Sequence, residues 1–178
     1  IINPKKIISI HKDGRYGVEG SDIKLYDYFT EKDKKSHFGK IWLDTLSFFD
    51  IKPNSTKYDF FLSKIETEKA RKFTDNLGTK IKIGINTKGS FPEKSIKNEE
   101  LHEICIGLHE HFSNIQIVIL TAPNHQIENK DFISKLGLDY VRCSYPTLTI
   151  NEAAALIQKL DIIISPDTSI VHIAASFD

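Results

Sequence analysis

From Lys80 onward the apolar positions alternate between two periods. Lys80–Asn86 (KIKIGIN) is a β-branched run ending in polar residues, and Asn98–Phe112 follows with Leu101, Ile104, Cys105 and Leu108 at helical spacing. A strand and then a helix are predicted. The unit recurs: Ile115–Leu120 (IQIVIL) reads as a fully apolar strand, Lys130–Leu136 as a short helix ended by Gly137, and Tyr140–Cys143 as a third strand. Thr149 with Glu152 forms a capping box for a helix over Asn151–Leu160, and Asp161–Ser165 (DIIIS) is a fourth strand running into Pro166 and a last helix. Apolar strands alternating with helices predict an α/β fold, a Rossmann-like parallel sheet with helices on both faces.

The first 80 residues follow another pattern. Ile7–Ile10 is compatible with a strand, Asp13–Gly20 is turn-rich, and Lys32–Lys35 is a charged run read as solvated loop. Ile41–Phe49 (IWLDTLSFF) places Ile41, Trp42, Leu46 and Phe49 at the spacing of an amphipathic helix. Ile51–Asp59 is linker-like, and Ser63 with Glu66 opens a helix that stops near Gly78. The expected organisation is residues 1–60 as the end of one domain plus a linker, and 61–178 as most of a doubly wound domain.

Charge narrows the function. The 178 residues carry 24 Lys+Arg against 24 Asp+Glu, a formal net charge of zero, which argues against a nucleic-acid binder. No apolar run approaches a membrane span and the start lacks signal-peptide features, so the expected location is the cytoplasm. Cys105 and Cys143 lie in apolar stretches outside any metal or redox motif and read as small core residues. Methionine is absent, even at position 1, and 173–178 resembles a helix interior, so the sequence reads as an internal fragment.

In doubly wound sheets the ligand sits beyond the carboxyl ends of the strands where strand order reverses, and the first and fourth strands are neighbours there. That topology brings together Thr87–Ile96 (TKGSFPEKSI) and Ser165–Ser169 (SPDTS). In the second loop, Asp167 or Thr168 is a preferred helix N-cap, and the amides of Thr168, Ser169 and Ile170 would form an anion site with His172 one turn along. The alternative is that Asp167 and Thr168 merely cap the helix and His172 is a satisfied polar residue. In the first loop, Lys88 and Lys94 offer cations to a diphosphate, and Gly84 and Gly89 allow close backbone approach. Neither a P-loop nor a dinucleotide glycine pattern is present.

Asp161–Phe177 (DIIISPDTSIVHIAASF) resembles the signature of glycosyltransferase family 9, the bacterial heptosyltransferases, which runs roughly aDlvigpDTGxxHlAaa. Thr87–Leu101 (TKGSFPEKSIKNEEL) is similar to the family's pGa...KrWpxerfaeL loop. The resemblance covers residues 80–178 well and 3–52 loosely. It implies a GT-B fold, two Rossmann-like domains facing a cleft, here incomplete at both ends, with the C-terminal domain holding the nucleotide-sugar donor. It implies that Asp167, Thr168 and Ser169 are the donor-binding triplet, His172 the motif histidine, and Lys94 the lysine near the donor phosphates. Ser95-Ile96-Lys97 replaces the family's Arg-Trp-Pro, and Ser169 stands where many members have glycine.

The activity so implied is inverting transfer of a heptose or related sugar from a nucleotide-diphosphate donor, such as ADP-heptose, to a lipopolysaccharide or lipooligosaccharide core. The charge growing on the leaving diphosphate needs stabilising. No D-x-D pair occurs, so a metal-independent reaction without cofactor is expected, with Lys94 and the helix start at Thr168 and Ser169 doing that work. The family's general base, an Asp near the start of its N-terminal domain, matches no residue here. Partners would be the donor and a lipid-linked acceptor, and Arg15, Tyr16 and Lys32–Lys35 are either solvated loop or a contact with the inner face of the cytoplasmic membrane.

Other readings remain open. One is a different GT-B nucleotide-sugar enzyme, an epimerase or GlcNAc transferase. Another is a non-catalytic flavodoxin-like binding domain. A hydrolase built on Ser169 and His172 lacks the nucleophile-elbow motif. His102 and His109 share a helix face without an evident third metal ligand.

Overall fold

The computed structural model describes residues 5–10, 26–30, 38–53, 55 and 59–177. The chain divides into two compact units, Ile1–Lys57 and Tyr58–Asp178. Arg15, Tyr16 and the runs 13–20 and 32–35 lie outside the described residues.

In the first unit β1 (Ile8–Ile10) pairs in parallel with β2 (Tyr28–Thr30). The Ile7 amide donates to the Asp27 carboxylate at 2.7 Å and extends the pairing by one position. The predicted helix over 41–49 begins earlier and changes character: α1 spans Phe38–Asp44, and Thr45–Phe49 tightens into a 3₁₀ turn. The Thr45 hydroxyl donates to the Trp42 carbonyl at 2.6 Å and the Ser47 hydroxyl to the Asp44 carbonyl at 2.7 Å, local bonds that compete with helical ones. The predicted apolar stripe is correspondingly broken. Ile41 is 2% exposed whereas Phe49 is 59% exposed.

The second unit opens with α2 (Lys64–Asp75), whose capping box is complete: the Glu66 amide donates to Ser63 Oγ and the Ser63 amide to the Glu66 carboxylate. Gly78, at φ +74°, turns the chain out of it. Four parallel strands follow, β3 (Ile81–Ile85), β4 (Ile115–Ile119), β5 (Val141–Cys143) and β6 (Ile162–Ile164), in the spatial order β5-β4-β3-β6. The reversal of order falls between β4 and β6, on either side of β3, as the sequence pattern predicted. Register is set with Ile83 opposite Ile117 on one side and Ile162 on the other.

The connections are α3 (Asn98–His111), α4 (Gln126–Leu136) and α5 (Ile150–Ile157), and α6 (Ser169–Ala174) follows β6. Ile83, Ile85, Ile115, Ile117 and Ile119 pack with Leu101 and Cys105 of α3 to form one core layer, against which Phe132 and Ile133 of α4 lie. Ala154 and Ile157 of α5 and Ile173 of α6 form the other, with Ile163 and Leu120 against them. Helices therefore cover both faces, and a central strand such as β4 is buried at every position.

One predicted helix start shifts and one predicted cap closes differently, each for an identifiable reason. α4 starts four residues before Lys130, because Asn129 is turned into the core, at 8% exposure, and masks the apolar periodicity of its first turn. At α5 the Thr149 hydroxyl accepts the Glu152 amide as expected, but the Glu152 carboxylate binds the Leu148 amide instead of closing the box on Thr149.

Candidate functional site

The carboxyl ends of β3 and β6 meet at Asn86. Its amide donates to the Ile164 carbonyl at 2.9 Å and continues the sheet for one residue beyond β3. Its side-chain Nδ2 lies 3.0 Å from Ser165 Oγ, 3.2 Å from Thr168 Oγ1 and 3.0 Å from the Lys88 carbonyl. At 9% exposure Asn86 is a buried polar group with all its donors engaged, and it ties the loop after β3 to the loop after β6. Sequence reasoning passed it over as a site residue. The available signal was a carboxamide directly after an apolar strand, where a side chain must satisfy two loops at once.

The loop after β3 is closed on itself. The Ile96 amide reaches the Thr87 carbonyl at 2.8 Å, the Gly89 amide reaches Ser95 Oγ at 3.0 Å, and Pro92–Lys94 forms a 3₁₀ turn. Gly89 lies flat on the Lys94 backbone: a Cβ there would fall 2.6 Å from the Lys94 carbonyl oxygen. The Lys94 main chain is thus packed against Gly89 while its side chain is exposed and, among the described residues, makes no ion pair. Lys88, the other expected cation, is engaged. It sits 3.2 Å from Glu128, which also contacts His125 at 3.1 Å; first Lys88 and then His125 hold the Glu128 carboxyl below the ordinary carboxylate range. Gly84 departs from its expected part. A Cβ there would meet Leu160 and Ile163 at 2.6 and 2.8 Å, so Gly84 makes room for packing, not for a ligand.

On the other side Thr168 is the N-cap of α6, its hydroxyl accepting the Ile170 amide at 3.3 Å. The Val171 amide is taken by the Thr168 carbonyl at 3.1 Å. The Ile170 amide, expected to face an anion, is therefore already used. Those of Thr168 and Ser169 make no hydrogen bond among the described residues. α6 has only six residues, so what it offers an anion is these amides more than an extended dipole. Asp167, Ser169 and His172 are exposed around that start. Among the described residues no hydrogen bond or ion pair joins Lys94 to Asp167, Thr168 or Ser169; they share the carboxyl edge of the sheet through Asn86.

Beside this edge lies a cavity of about 100 Å³ lined by Asn86, Leu120, Thr121, Thr147, Leu156 and Ile170, among others. It adjoins the α6 start, because Asn86 and Ile170 belong to both. Its wall is mostly apolar with a few polar side chains, the lining of a small-molecule pocket, and its volume suits a part of a ligand and not a whole one. Thr121, only 1% exposed, is fixed from behind by Asn129, whose Nδ2 donates to Thr121 Oγ1 at 3.2 Å.

The remaining histidines and cysteines play other parts. His109 stacks on Tyr140, ring centroids 3.9 Å apart, and no group of three or more His, Cys, Asp or Glu side chains suited to a metal occurs among the described residues. Burial pushes the Cys105 thiol up to about 11.

The sequence matches the family Glycosyltransferase family 9 (heptosyltransferase) over residues 29–178. No curated protein sequence matches it. Among solved structures, a family 9 glycosyl transferase from Veillonella parvula superposes with a TM-score of 0.68 at 16% identity, covering 86% of this chain and 45% of that one. The E. coli heptosyltransferase WaaC with ADP gives 0.59 at 20% identity, covering 96% of this chain and 52% of that one. The E. coli ADP-heptose lps heptosyltransferase II gives 0.56 at 17%, with 71% and 39% covered. The chain spans about half the length of these proteins or less. The likeness establishes an α/β fold of GT-B type with a Rossmann-like parallel sheet.

Proposed function

The chain belongs to glycosyltransferase family 9, and from that premise we propose that its second unit is the donor-binding part of an inverting, metal-independent sugar transferase. The donor is a nucleoside diphosphate sugar, ADP-heptose or a related compound, and the acceptor a lipopolysaccharide or lipooligosaccharide core. Residues 1–60 then form the end of the acceptor-side domain. The reaction belongs at the cytoplasmic face of the inner membrane; no helix among the described residues is long and apolar enough to cross a membrane.

The observation that carries this reading is the Asn86–Thr168 bond, which holds the lysine loop and the 165–169 loop at one edge of the sheet. The diphosphate is read as lying between Lys94 and the amides of Thr168 and Ser169. As the anomeric C–O bond breaks, negative charge grows on the leaving phosphate, and fixed donors aimed at that oxygen lower the barrier without reorganising. Asp167 and His172 would meet hydroxyl groups of the donor, and the cavity beside Asn86, about 100 Å³ in volume, would take one edge of its nucleoside end. The proton acceptor for the incoming hydroxyl is assigned to no residue of this chain.

Titration with ADP, ADP-heptose and other nucleotide sugars, followed by calorimetry, tests the reading. Lys94→Ala and Asp167→Ala are each expected to weaken binding by about tenfold or more, one lost charge-assisted contact, with unchanged circular dichroism. Failure of every nucleotide to bind the parent chain would remove the donor assignment.

A further inference from the structure

One wall of the cavity is a loop, residues 144–149, joining β5 to α5. On its inner side it is bonded to β4 and the residues after it. The Ser144 amide donates to the Ile119 carbonyl at 2.9 Å, the Thr121 amide to Ser144 Oγ at 3.0 Å, and the Thr147 amide to the Thr121 carbonyl at 3.2 Å. Its outer side is held by one carboxylate. Glu152 Oε2 accepts the Leu148 amide at 2.7 Å, and Glu152 Oε1 accepts from Lys69 Nζ, also at 2.7 Å. The Lys69 ammonium lies 4.5 Å over the Tyr145 ring, whose edge meets Phe73, one turn along α2, with centroids 5.5 Å apart at 83°.

Lys69 comes from α2, a helix that precedes the whole sheet and contributes nothing to the cavity lining. The Lys69 and Glu152 side chains are only 38% and 17% exposed, so this is not a solvated surface pair of negligible worth. Removing the lysine would leave a mostly buried carboxylate with the Leu148 amide as its remaining charge-stabilising partner, so that the Glu152 side chain turns toward water and loosens its hold on Leu148. Thr147, adjacent to Leu148, is the residue of this loop that lines the cavity.

We propose that Lys69 and Glu152 are positioning residues for the ligand of this cavity: from outside it, α2 holds Glu152, Glu152 holds Leu148, and Thr147 is thereby fixed as wall. The proposal rests on the donor reading above, in which one edge of the nucleoside end enters the cavity and the diphosphate lies beyond Asn86. It follows that the pair acts on the nucleoside part of the ligand and not on the phosphates.

The test compares ADP with inorganic pyrophosphate on the parent chain, Lys69→Met, Lys69→Arg and Glu152→Gln, together with hydrogen exchange over residues 144–149. Lys69→Met is expected to weaken ADP by about tenfold, to leave pyrophosphate unchanged, and to speed exchange at the Leu148 amide. Lys69→Arg, which keeps a cationic donor, is expected to restore ADP binding to within about twofold. If Lys69→Met fails to fold, Glu152→Gln, whose single carboxamide oxygen cannot replace both carboxylate oxygens toward Lys69 and Leu148, reads the same contrast. Unaltered ADP affinity in the variant, or equal weakening of both ligands, overturns the positioning role. A parent chain that binds neither ligand overturns the donor reading itself, a different result from either.

Discussion

Asn86 shows how much one residue at a strand end can organise. It is buried, it spans two loops, and no motif announces it. Replacing it with leucine leaves the Thr168 and Ser165 hydroxyls and the Lys88 carbonyl without their shared donor, at a cost of about 1–3 kcal/mol in stability. Calorimetric unfolding of Asn86→Leu should show that loss, and nucleotide binding should fall further than stability alone explains. By contrast the proposed donor residues, the DTS triplet at 167–169 and Lys94, stand out in the sequence, because their residue types and spacing form a motif that Asn86 is not part of. Gly89 was expected to allow close approach to a ligand, and in the structure what it approaches is the Lys94 backbone. Gly89→Ala is therefore expected to displace Lys94 and weaken nucleotide binding by about tenfold, measured by titration against the parent chain.

At the level of elements, the strands were the most legible, since an isoleucine run in a doubly covered parallel sheet needs no partner information to be recognised. Helix starts were less so. Asn129 carries a tertiary bond, to Thr121, that hides the first turn of α4 from the local pattern, whereas at α5 the Thr149 cap was legible and only the Glu152 carboxylate went elsewhere, to Lys69 and the Leu148 amide. Glu152 also has a consequence for pH. The hydrogen bond from Lys69, and then that from the Leu148 amide, hold its carboxyl below the ordinary carboxylate value of about 4.3. A group depressed in the folded state stabilises it above the unfolded pKa, and that contribution disappears as pH falls through the folded value. Melting temperatures of the parent chain should therefore drop on acidification below about pH 4.3 more steeply than those of Glu152→Gln. Gly107 supplies the opposite case within α3: it is exposed, and a Cβ there meets nothing within 4 Å. Gly107→Ala should raise stability by about 0.5–1 kcal/mol, seen as a rise of about 1–4 °C in melting temperature.

For the whole molecule, strand order was legible because topology rules leave few options once four apolar strands alternate with helices. The cavity was not, because its lining comes from the ends of β3 and β4, the 144–149 loop, α5 and α6, residues with no common spacing in the chain. The division into units bears on where ligand binding resides. Both hydrophobic clusters of the second unit are built from residues at or beyond Phe60, and every residue of the proposed site lies between Asn86 and His172. With its own core and its own site, the unit has what a domain needs to fold alone. Residues 58–178 expressed separately should then melt cooperatively and bind ADP with an affinity within about threefold of the full chain's. Loss of cooperative melting would show that the first unit completes the core. Cooperative melting with weakened ADP binding would show instead that the first unit contributes to the ligand site, and that the cavity and Lys94 are only part of it.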